Sequence, residues 1–162
     1  MGLFAPEVGH PRAGLRVPQR LFSPTYGPGT ITNEHRPHQT IVPLAQRLGI
    51  RIDDTHEIGD EAATIGAVLG GGKEPVLIAW EHRHIPNLAH AIPLVRGTRI
   101  PAAWPPQRFD VVWKFELDPA TKRYRFSQQP ELLLAGDKPT GIALHNRRAH
   151  RTPSAAGTDR GL

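Results

Sequence analysis

The chain has 162 residues, 38% of them hydrophobic and 6% aromatic, with 17 prolines, 16 glycines and no cysteine. This composition describes one domain with a modest core and many loops, and it excludes a disulfide framework and thiolate chemistry. The net charge of +5 is unevenly spread: residues 145–162 contribute +3, which leaves +2 on residues 1–144 and excludes a broadly basic nucleic-acid surface on the body.

No stretch approaches the roughly 18 apolar residues of a membrane span. The opening residues form no signal peptide, because Glu7, His10 and Arg12 interrupt any apolar run. A cysteine-free chain of this kind fits a cytoplasmic protein without a membrane partner.

Residues 1–30 are rich in proline and glycine, and only Leu21-Phe22, inside Arg20 to Tyr26, offers an apolar strand seed. An irregular stretch of this length is uncommon in a compact domain. It implies packing against something the chain does not contain. Thr32 to Leu48 predicts a helix: Ile41, Leu44, Ala45 and Leu48 share one face, and Gly49 is a stop. Asn33 is the candidate N-cap and Pro37 falls in the first turn. Pro43 removes one backbone hydrogen bond and predicts a kink. Arg36, a cation near a helix N-terminus, opposes the macrodipole unless an anion sits there or Glu34 pairs with it.

Asp53 to Leu69 predicts a loop and a second helix, with Ile58, Ala62, Ile65, Val68 and Leu69 on one face. Asp53, Asp54, Glu57, Asp60 and Glu61 read as solvated charges, any one of which could act as a general acid. Gly70-Gly71-Gly72 then interrupts the chain, and Val76 to Trp80 predicts a buried strand. Pro86 opens a further helix, with Ile85, Leu88, Ala89 and Ile92 on one face. Glu81, His82, Arg83 and His84 therefore fall at the carboxyl end of a strand, just before a helix. Ligands of open α/β sheets bind at that edge, and helix N-termini there favour anions.

Phe109, Val111, Trp113, Phe115 and Leu117 alternate with other residues in a period-2 strand. After a turn over Asp118 to Lys122, Tyr124 to Ser127 returns as a shorter strand, so the sheet is expected to be mixed. Gly136 to Leu162 has no apolar period and reads as a disordered basic tail, which divides the chain into a domain over 1–135 and a tail over 136–162. The arginines of that tail have no interleaved aromatics, which argues against nucleic-acid binding.

Two stretches together resemble the histidine phosphatase superfamily, the phosphoglycerate-mutase-like fold. The first is His35-Arg36-Pro37-His38-Gln39-Thr40 with Pro43-Leu44-Ala45 and Leu48-Gly49, which is similar to the Arg-x-x-Gln-Thr helix start of that family. The second is Val76-Leu77-Ile78-Ala79-Trp80-Glu81-His82, which resembles the late strand that delivers its second catalytic histidine. Phe109-Asp110-Val111-Val112-Trp113 also fits a bacterial subgroup with a Trp-Glu-His version of this motif. The resemblance covers roughly Arg20 to Gln129.

It implies a three-layer α/β fold with one mixed sheet and flanking helices, and a phosphomonoester hydrolase acting on a phosphorylated small molecule without a cofactor. It assigns Arg36 and His82 to the catalytic phosphate pocket, with Glu81 and His35 as accessory residues. A guanidinium grips phosphate oxygens bidentately, and a protonated imidazole opposes developing negative charge. The chain departs from the family in one respect: no Arg-His-Gly or Arg-His-Ala motif supplies the nucleophilic histidine. The resemblance thus implies that the family's first strand is missing, leaving a domain without turnover or a non-catalytic phosphate-binding remnant. A metal site is a further alternative, since His35-x-x-His38 and His82-x-His84 offer four imidazoles, although no cysteine or assigned carboxylate completes a zinc spacing.

Overall fold

A computed structural model describes residues 3–4, 11–29 and 32–144. In chain order the elements are β1 (Arg20–Pro24), α1 (Thr32–Leu48), β2 (Ile52–His56), α2 (Glu61–Gly70), β3 (Val76–Ile78), α3 (Ile85–Ala91), β4 (Val111–Asp118) and β5 (Arg123–Pro130). The first three strands form a parallel sheet in the order β2-β1-β3, and β4 and β5 form a separate antiparallel hairpin. The chain is therefore mixed α/β, as expected. The single mixed sheet expected from the resemblance does not form among the described residues, because the outer edges of β3 and β4 have no strand between them.

Helix α1 covers one face of the parallel sheet. Ile41, Leu44 and Ala45 pack with Leu21 of β1, and Leu77 and Ala79 close the cluster. Burying Ile41 and Leu44 stabilises by about 1.5–3 kcal/mol each. Each burial is comparable with the roughly 3 kcal/mol that one proline inside a helix costs, and α1 runs through both Pro37 and Pro43. It ends where the sequence predicts. Gly49 takes a φ of +65°, the Ile50 N–H reaches the Ala45 carbonyl at 3.0 Å and the Gly49 N–H reaches Gln46 at 3.3 Å, a Schellman ending. The helix begins at Thr32, so Asn33 lies inside it rather than at its cap. The expected N-cap bond of Asn33 and the pairing of Glu34 with Arg36 concern side chains outside those described.

Helices α2 and α3 cover the opposite face, where Ile65, Trp80 and Leu88 are buried with Ile78, Ile85 and Ile92 around them. Successive residues of β3 thus serve opposite cores, as strand alternation requires. Arg20 ties β1 to the end of α2 by donating to the carbonyls of Ala67 (3.0 Å) and Val68 (2.9 Å), which no later turn of the helix would satisfy.

Strand β2 corrects the sequence reading, which expects a loop over Asp53 and Asp54. Ile-Asp-Asp-Thr-His has no apolar run, yet it pairs in parallel with β1 through Leu21–Ile52 and Phe22–Asp53. It is an edge strand, so only one side of its ladder needs a partner and its outward side chains can be polar. The tail also differs from expectation in its first nine residues. Within Gly136 to Leu144, Ile142 is buried and exchanges two bonds with Gln128 of β5, at 2.7 and 2.9 Å. The Arg108 guanidinium holds the Thr140 carbonyl at 2.8 Å, and Asp110 accepts the Lys138 N–H at 2.7 Å. This segment packs on the hairpin rather than starting a disordered tail, and residues 145–162 lie outside the described structure. Among the described residues no helix is long and apolar enough to cross a membrane.

Candidate functional site

The parallel strands all end at one edge of the sheet, and the connections leaving β1 and β3 run to opposite faces, since α1 covers one and α3 the other. This is a topological switch point, where the diverging loops leave a crevice. Arg36, on α1, and Glu81-His82-Arg83, between β3 and α3, line the same cavity of about 1140 Å³. The two motifs singled out in the sequence are therefore brought together around one space.

On the β3 side the geometry is tight. Glu81 is buried, and its carboxylate is fully engaged. One oxygen accepts from Arg83 Nε at 3.0 Å and lies 3.0 Å from His82 Nδ1, and the other accepts the Arg83 backbone N–H at 2.9 Å. Glu81 thus faces the His82 ring rather than pointing away from it, and the His82 side chain remains about 30% exposed. Arg36 on the α1 side is exposed.

His35 and His38 stand apart from this space. Tyr26 stacks flat on the His38 ring, with centroids 4.3 Å apart, and meets His35 edge-on at 4.9 Å. His38 Nδ1 lies 2.9 Å from the buried Ser23 hydroxyl, which is also 3.1 Å from the Pro24 carbonyl. The contact ties α1 to the end of β1. The accessory role expected for His35 places it in the cavity, but the structure places it against Tyr26, outside the cavity lining.

His84 is engaged elsewhere. Its Nδ1 is 2.9 Å from Glu61 Oε1, which also accepts the Trp80 indole N–H at 3.2 Å and the Gly59 N–H at 2.9 Å. Glu61 is buried, not one of a solvated run. Burial pushes its carboxyl up, but the bonds from Gly59 and Trp80 and the facing His84 together hold it below its ordinary value. The four imidazoles of the metal alternative do not converge: among the described residues no three His, Asp or Glu side chains form a group able to hold a metal ion.

Sequence reasoning reads Glu61 as one of a solvated run and does not single out Ser23 or Tyr26. The signal for Glu61 was available in its position, in the first turn of a helix whose apolar face includes the buried Ile65. Ser23 and Tyr26 carry no motif, and only the fold brings them to His38.

No family model, no curated protein and no solved structure matches this chain.

Proposed function

We propose that this chain is a histidine-phosphatase-like domain that holds the phosphate group of a phosphorylated small molecule between Arg36 and His82, without turnover as the chain stands. The observation that supports the reading is that Arg36 and His82, from motifs far apart in sequence, line one cavity, with His82 just beyond the carboxyl end of β3. The chemistry fits a phosphate. Arg36 offers a planar fork for two oxygens. His82 offers a partly exposed imidazole beside the Glu81 carboxylate, and a ring protonated on both nitrogens is a charged donor.

Hydrolysis in such a domain needs a nucleophilic nitrogen at phosphorus, opposite the leaving oxygen. His38 is held by Ser23 and Tyr26, and His84 by Glu61, and neither lines the cavity. This favours binding over turnover and, within the resemblance, the phosphate-binding reading over the hydrolase.

The test is calorimetric titration with inorganic phosphate and a phosphomonoester such as p-nitrophenyl phosphate, alongside a turnover assay on the latter. Phosphate binding that weakens at least tenfold, roughly 1.4 kcal/mol, in both Arg36→Ala and His82→Ala is the expected outcome. Absence of binding, or equal binding by both variants, refutes the site. Turnover abolished by His82→Ala would replace the binding reading with an active hydrolase.

A further inference from the structure

The same cavity extends well beyond the phosphate site, and its walls have an unusual pattern. It is lined by consecutive residues of β3 and its continuation, Val76 to Trp80, and by every residue of β4 from Val111 to Leu117. Neighbouring residues of a strand point to opposite faces of a sheet. A cavity on one face would therefore touch alternate residues only. One that touches all of them lies along the strands' backbone edges.

Among the described residues those edges are unpaired: β3 pairs with β1 and β4 with β5. The bonding phase identifies which groups are exposed to the cavity. Pro75 accepts from Gln19 and Ala79 donates to Phe22, so Pro75, Leu77 and Ala79 address β1. Alternate residues of a parallel strand address opposite neighbours, so Val76 and Ile78 turn their N–H and C=O groups outward. On the hairpin, Glu131 donates to the Asp110 carbonyl, and the register pairs Val112 with Gln129 and Lys114 with Ser127. The even-numbered residues of β4 therefore bond β5, and Val111, Trp113, Phe115 and Leu117 face outward.

Apolar side chains stand on both sides of this slot, Phe4 and Ile41 on the α1 side and Ile65, Leu88 and Ile92 on the side of α2 and α3, while charged residues such as Lys73, Glu74 and Glu131 also line it. Two rows of backbone donors and acceptors that line one cavity and have no strand partner among the described residues specify a complementary row of the same groups, which a small apolar ligand cannot supply. Apolar walls above and below specify side chains that are apolar at both parities, as in the buried strands of a parallel sheet.

We propose that the slot between β3 and β4 is a strand-acceptor site, filled by one extended apolar polypeptide segment of a partner. It would pair with β3 on one side and β4 on the other and join the two sheets into one. About seven residues span the length of β4 that lines the cavity, roughly 23 Å at strand rise. This proposal rests on the strand edges and stands independently of the phosphate reading.

The experiment uses the full chain and a free peptide of seven Val, Ile and Leu residues flanked by lysines. Amide hydrogen exchange is followed residue by residue as peptide is added. The expected result is slowed exchange, tenfold or more, at Val76, Ile78, Val111, Trp113, Phe115 and Leu117 together. A control peptide of the same sequence, N-methylated at alternate residues, keeps its apolar surface but loses the donors of one edge, and should bind at least tenfold more weakly. Unchanged exchange at these amides, protection of only one of the two strands, or equal binding by the methylated peptide would each overturn the proposal.

Discussion

Replacing Glu61 by alanine tests the account of how the site edge is held. Glu61 Oε1 is the common acceptor for the Gly59 N–H, the Trp80 indole N–H and His84 Nδ1, at 2.9, 3.2 and 2.9 Å. Trp80 is buried, with a relative exposure of 6%, so its indole N–H has little access to replacement water. Leaving a buried donor unpaired costs about 1–3 kcal/mol. With one such donor and two weaker losses, Glu61→Ala should destabilise the fold by about 3 kcal/mol, a large share of the ~5–15 kcal/mol typical of a domain. Glu61→Gln keeps an oxygen acceptor and loses the charge facing His84, so about 1 kcal/mol is expected. The assay is urea unfolding followed by tryptophan fluorescence, with Cm compared at constant m.

The pH profile adds a second constraint. The folded carboxyl of Glu61 is held below its ordinary value. Its contribution is therefore fully present above the unfolded value, near 4.3, and is lost as pH falls through the folded one. Glu61→Gln should lack that part of the acid loss. A Glu61→Ala variant within 0.5 kcal/mol of the parent, or a Gln variant with an unchanged acid profile, would refute the reasoning.

Two further outcomes follow from the packing. Leu44→Ala removes a buried side chain from the cluster with Leu21, Ile41 and Ala45, and should cost about 2–5 kcal/mol by urea unfolding. Asp110→Asn should loosen Gly136 to Leu144 at Lys138, while Arg108 and Gln128 still hold Thr140 and Ile142: the Asp110 carboxylate accepts the Lys138 N–H at 2.7 Å and faces Arg108 Nε at 2.6 Å. These bonds hold its carboxyl below its ordinary value, the Lys138 N–H foremost. The charged tether is thus present at neutral pH and lost as pH falls through that lowered value, and at neutral pH the Lys138 amide should exchange faster in the variant than in the parent.

The elements legible in the sequence were those with a strong apolar period. α1 was read to its last residue because four apolar positions share a face and Gly49 alone could take the positive φ that ends it. α3 was read from Pro86 and the apolar face behind it. β5 was read short, as Tyr124 to Ser127, because Arg123, Gln128 and Gln129 carry no strand signal, and it extends because β4 supplies the ladder. β2 was missed for the same reason in stronger form, since pairing with β1 decides it and its own residues are polar. The held segment after Gly136 depends on Gln128 and Asp110, whose partners lie in Gly136 to Leu144. Long-range polar bonds of this kind leave no periodic trace.

The site was legible in part for a topological reason. A parallel sheet sends the ends of β1 and β3 to one edge whatever their side chains, so a helix-start arginine after one strand and a histidine after another must approach the same crevice. The sheet order decides on which sides of it they stand. β2 and β3 flank β1, so the connection through α1 covers one face and that through α2 crosses to the other. Arg36, on α1, and His82, between β3 and α3, then line one cavity from different elements. The same order leaves β3 at the margin of the sheet among the described residues, and its outer edge and the crevice proposed for phosphate open into one cavity. A strand added there would lengthen the wall of the crevice on the His82 side. Phosphate affinity and strand occupancy should therefore be coupled, each changing the other by the same factor. Titrating inorganic phosphate with and without the apolar peptide measures that factor, and a value of one would show that the two ends of the cavity act separately.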